Sequence, residues 1–158
     1  MFPRIAAAAS VIAFLFGPPS IHVDAVTNPA TAPVKGALFM LTAHHHQETA
    51  GVTITGRAEG LVSGKRVTRP LTLTPAAGDG VYGVTRQWDA GQPWLLVFTI
   101  DAPSHDSSGY AEAVVRIAPD GKTLGIDYPL GKLASGTPWP RRISAKEIDV
   151  ALEAMARR

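Results

Sequence analysis

Three consecutive histidines, His44, His45 and His46, are the residues of this chain whose type and spacing most invite chemistry. If an extended strand runs through them, His44 and His46 point one way and His45 the other. Two imidazoles on one face plus a third ligand would make a Cu(II) or Zn(II) site. His105, in the polar stretch DAPSHDSSG, is the candidate third ligand, with Asp106 or Glu48 behind it. The competing reading is a solvated histidine run at a strand end, because no fourth ligand stands at a fixed spacing from the three.

Other constellations are weaker. Ser104, His105 and Asp106 contain the letters of a hydrolase triad, but neighbours in sequence cannot line up the hydrogen bonds that a fold normally arranges. No G-x-S-x-G elbow is present. Tyr82, Trp88 and Trp94 would serve as an aromatic ligand platform or, more simply, as core. Arg141 and Arg142 beside Trp139 would touch anionic lipid or a partner, or sit in a solvated loop before a helix. The glycine-rich turns lack a P-loop lysine pattern and a following helix. The chain has no cysteine, which excludes disulfides, thiolate metal sites and cysteine nucleophiles. Its net charge of +2 comes from 15 Lys and Arg against 13 Asp and Glu, with no concentrated basic face, so nucleic acid is not expected. Neither an enzyme nor a resident cofactor is expected from these residues, with copper or zinc at the histidines as the alternative.

The elements that must position these residues are organised around Asp79–Ile100, which reads as two neighbouring strands joined by the turn Asp89-Ala90-Gly91-Gln92. Trp94–Ile100 has almost no polar side chain and is expected at the centre of a sheet, buried on both faces. Lys35–Ala43, Val52–Ala58, Arg66–Thr74, Tyr110–Ile117 and Thr123–Tyr128 complete about seven strands. Pro70 places Arg66–Thr74 at an edge or a bulge. In Tyr110–Ile117, Ala111, Ala113, Val115 and Ile117 are expected inside, and Glu112 and Arg116 in water. Ser144 opens a capping box with Glu147, and Ile148, Ala151, Leu152 and Met155 form one helical stripe. The expected fold is therefore all-β: an antiparallel, immunoglobulin-like β-sandwich with one C-terminal α-helix.

Residues 1–25 read as a secretory signal. Arg4 supplies the positive start, Ile5–Phe16 the apolar run, and Val23 and Ala25 the −3 and −1 positions of a cut after Ala25. An uncleaved anchor is the competing reading, but about twelve apolar residues fall short of the roughly 20 a bilayer needs. Residues 26–33 read as a poorly ordered linker, 34–129 as the sandwich, 130–143 as a Gly- and Pro-rich linker and 144–158 as the helix. The expected location is the periplasm or the exterior, with no membrane span left after cleavage.

The block GDGVYGVTRQWDAGQPWLLVFTI, through Gly80, Tyr82, Gly91, Trp94 and Leu96, resembles the closing segment of periplasmic immunoglobulin-like or transthyretin-like accessory domains, most of all the YtkA-like and FixH-like group. The preceding TGRAEGLVSGKRVTRPLTLTP is similar to the loop and strand before that block. The resemblance covers roughly Val34–Ile117 and implies copper handling or oxidase assembly. The Met- and His-containing segment common in that group is not evident between Gly64 and Pro75. The expected function is thus an exported, non-catalytic binding or accessory module contacting another exported or membrane protein. The alternative is a periplasmic copper- or zinc-binding protein using His44, His46 and His105.

Overall fold

The computed structural model describes residues 18–44, 53–101 and 109–157. In chain order the elements are β1 (Ser20–Ala25), β2 (Phe39–His44), β3 (Ile54–Val62), β4 (Lys65–Leu71), β5 (Thr74–Pro75) and β6 (Val81–Val84). They continue with β7 (Trp94–Asp101), β8 (Tyr110–Ile117), β9 (Thr123–Asp127), β10 (Leu130–Lys132), β11 (Pro138–Pro140) and the helix α1 (Ala145–Ala156). Two antiparallel sheets, ordered β1-β2-β6-β5 and β4-β3-β7-β8-β9, make a sandwich, and β10 and β11 form a separate hairpin.

β7 explains the layering. It is paired on both sides, by β3 and β8, and its side chains alternate between two apolar environments. Trp94, Leu96, Phe98 and Ile100 face the four-stranded sheet, meeting Phe39, Leu41 and Val84 in the main core. Leu95 and Val97 face the other way and, with Val114, receive Ile148, Leu152 and Met155 of α1. Each of these buried helix side chains contributes roughly 1.5–3 kcal/mol, which is why the helical stripe docks on its own sheet. The helix start is fixed by the expected capping box: the Ser144 hydroxyl accepts from the Glu147 N–H, and the Glu147 carboxylate accepts from the Ser144 N–H at 2.9 Å. Among the described residues no helix is long and apolar enough to cross a membrane.

The structure departs from the sequence reading in several places. The two strands of Asp79–Ile100 are not neighbours: β6 belongs to the four-stranded sheet and β7 to the five-stranded one, and the intervening stretch crosses between layers. Trp88, 5% exposed, fills the core on that crossing. Among the described residues eleven strands stand where about seven were expected, partly because the Gly- and Pro-rich stretch after Pro129 folds into the β10–β11 hairpin. Residues 26–33 are held by turns, with the Val26 N–H bonded to the Leu38 carbonyl at 2.9 Å and Gly36 N–H to Pro29 at 2.8 Å. Glu112, expected in water, is buried because the segment leading into α1 covers it. Ser20–Ala25, read as the end of a leader, pairs along its whole length with β2.

Candidate binding cleft

One end of the sandwich brings His22, His44 and Glu112 to one cleft. Ser20 stands opposite His44 in the β1–β2 ladder, Ile54 opposite Ile100 between β3 and β7, and Asp101 opposite Tyr110 between β7 and β8. Among the described residues two strand edges lack a ladder partner there. β1 is the outermost strand of its sheet. Among the described residues β9 pairs with β8 only from Val114 onward, so no strand is hydrogen-bonded to Tyr110–Ala113 on that side. Tyr128 and Pro129 carry the chain away from β8 at this point.

Between the two edges lies a cleft of about 600 Å³. Its walls are Pro19, Ile21 and Ala111 on the strand side and Tyr128, Pro129 and Leu130 opposite, with Pro140 also contributing. His22, His44 and Glu112 supply its polar groups. A second cavity of about 300 Å³ lies across the Tyr128–Leu130 ridge, between Leu95, Val114 and α1, with Arg116, Asp127, Arg141 and Glu147 at its rim. The ridge is apolar and solvent-facing: Tyr128 is 46% exposed and Leu130 55%, and Leu133 at the tip of the hairpin is exposed as well.

Charges behind the cleft fix its wall. The Glu112 carboxylate accepts from the Ile143 N–H at 2.5 Å and lies 3.6 Å from the Arg57 guanidinium. Thr99 donates to it at 3.4 Å. The Arg142 guanidinium sits 4.3 Å from the Tyr110 ring centroid and reaches Asp101 at 3.3 Å. Burial pushes the Tyr110 hydroxyl well above the usual phenol range, and the Glu112 carboxylate beside it adds to the rise. Geometrically, that hydroxyl is buried with no hydrogen-bond partner among the described residues. These groups hold the 141–143 segment against β8 and present no nucleophile paired with a base.

Of the sequence-predicted ligands, His44 stands exposed at the end of β2, on the cleft rim. His46 and His105 lie outside the described residues. Among the described residues no group of three or more His, Cys, Asp or Glu side chains is arranged to hold a metal ion. The aromatic residues follow the simpler of their two readings: Trp88 and Trp94 are buried in the core, and Tyr82 packs against it. Arg141 chelates Glu147 with both terminal nitrogens. His22 and Ile21 escaped the sequence reading because they fell inside the expected leader. Their signal was the alternation of Ile21 and Val23 with His22 and Asp24, a strand period in a stretch read as a cleavage region.

Compared with known proteins, the chain matches no family model, no curated protein sequence and no solved structure.

Proposed function

We propose that this is an exported, non-catalytic binding module that takes an extended segment of another protein into the cleft between β1 and β8. The observation that carries the reading is the pairing of two open strand edges with an apolar cavity of about 600 Å³. Open edges offer unpaired backbone donors and acceptors, and alternate side chains of an added strand drop into an adjoining pocket. The exposed Tyr128–Leu130 ridge adds apolar contact at the cleft mouth. The test is selection from a displayed library of random peptides. Peptides with alternating apolar residues are expected to bind the native chain and to lose at least tenfold in affinity to Ala111→Arg or Leu130→Asp. Peptides that bind both variants as well as the native chain would sink the reading.

A second reading is a periplasmic copper or zinc site built on His44, His46 and His105. One observation favours it: the strand ends flanking the two histidine segments, at His44, Asp101 and Tyr110, belong to the same end of the sandwich. Calorimetric titration with Cu(II) and Zn(II), using the His44→Ala/His46→Ala double variant as control, separates the two. Submicromolar one-to-one binding lost in the variant supports the metal site; weak binding unchanged by the variant removes it.

A further inference from the structure

The leader expected from the sequence ends at Ala25, yet the residues just before that bond form part of the folded domain. All six residues of Ser20–Ala25 pair with β2. Ile21 and Val23, 4% and 5% exposed, enter the same core as Phe39, Leu41 and Ala43. His22 and Asp24 point outward and touch each other at 3.0 Å. This is the two-residue period of a strand with one buried face. A cut after Ala25 would strip β2 of its outer neighbour, leave Leu41 and Ala43 beneath an uncovered edge, and remove the Pro19–His22 wall of the cleft. It would also place a charged amino terminus on Val26, whose N–H now bonds the Leu38 carbonyl at 2.9 Å.

We propose that maturation leaves β1 in place: the bond between Ala25 and Val26 is retained, and any cut at the N-terminus falls upstream of Ile21. Two processed forms satisfy this. Removal of the apolar run Ile5–Phe16 by an earlier cut frees the domain. Retention of the run as an anchor puts the cleft close to the membrane surface, since only Gly17 and Pro18 separate Phe16 from the cleft residue Pro19. The existence of a cut rests on the export reading; the place of β1 in the fold does not.

The experiment is expression of the full-length gene in a bacterium with a working export pathway, followed by fractionation and intact-mass measurement of the purified protein. An N-terminus at or before Ile21, Met1 included, is the expected result. An N-terminus at Val26 overturns the proposal. Melting of the purified full chain supplies a second readout that does not depend on export. Ile21→Ala and Val23→Ala should each lower the melting temperature by about 5 °C, whereas exposed His22→Ala should leave it within about 1 °C. Unchanged melting in both core variants would mean that β1 is dispensable and would likewise overturn the proposal. A chain found only in the cytoplasm would end the export reading alone, and the melting comparison would then decide the role of β1.

Discussion

Gly60 lies flat against the Trp94 indole: a Cβ built on Gly60 would stand 2.5 Å from the ring carbons Cε3 and Cζ3. The two are cross-strand partners in the β3–β7 ladder, and the indole N–H is tied to the Asp89 carbonyl at 3.0 Å. The ring is fully buried and pinned at its far end, so it cannot slide away from an added methyl. Gly60→Ala should therefore cost about 1–3 kcal/mol, the range for overpacking a core. Urea unfolding followed by tryptophan fluorescence checks this. A variant as stable as the native chain would show that the sheet relaxes around the extra carbon.

Trp94 also shows what the sequence could and could not reveal. The run from Trp94 to Ile100, apolar except for Thr99, announced a doubly covered central strand, and the Ser144–Glu147 spacing announced the helix and its cap. Pro70 correctly marked β4 as an edge strand. These features are local, written in neighbouring residues. Whether β6 pairs with β7 is not local: a turn signal at Asp89–Gln92 is the same for a hairpin and for a crossing between sheets. Glu112 illustrates the same limit, because what covers it is the 141–143 segment, some thirty residues away. The cleft was illegible for this reason, and also because one side of it, Pro19 to His22, lay in residues read as a leader.

Arg66 joins the helix to the sheet. Its Nε donates to the buried Glu59 carboxylate at 3.1 Å, and its Nη1 reaches Asp149 at 3.1 Å and the Ala145 carbonyl at 3.3 Å. Arg66→Ala leaves Glu59, 3% exposed, with Arg57 and Thr68 as its remaining partners. Breaking one arm of a buried charge network costs about 3–5 kcal/mol when nothing else compensates; with two partners left, about 2 kcal/mol is expected. Asp149→Ala, which removes only the half-exposed arm, should cost under about 1 kcal/mol. Chemical denaturation of both variants tests the order. Equal losses would place the energy in the helix contact instead of in Glu59.

The same carboxylate predicts an acid-sensitive fold. Burial pushes the Glu59 carboxyl up, but hydrogen bonds from Arg66, Thr68 and Arg57, with the Arg66 charge, outweigh it and hold the group below its ordinary value of 4.5. Glu147 is lowered too, chiefly by the Arg141 hydrogen bonds and the Ser144 cap, though its exposure lets solvent screen most of the effect. A group with a lowered folded-state value adds stability that is fully present above its unfolded value and is lost as pH falls through the folded one. The melting temperature should thus be flat near neutrality and decline below about pH 4.5. Glu59→Gln should start lower at pH 7 and show a shallower decline. A variant whose acid profile parallels the native one would locate the sensitivity in other groups.

Tyr110 offers a change in the opposite direction. Its ring carries the Arg142 guanidinium, and its hydroxyl is buried without a hydrogen-bond partner among the described residues. A buried donor left unpaired destabilises the folded state, so removing the donor while keeping the ring should relieve that penalty. Tyr110→Phe keeps the cation–π contact, because the guanidinium stacks on the ring face, which phenylalanine also presents. The variant should be as stable as the native chain or more stable by up to about 1 kcal/mol. Tyr110→Leu, which also removes the aromatic face, should instead lose stability and free the 141–143 segment that follows the cleft residue Pro140. Thermal melts of the two variants decide the matter. A loss in Tyr110→Phe as large as in Tyr110→Leu would mean that the hydroxyl is bonded in solution, with the neighbouring Glu112 and Thr99 side chains as the partners to examine.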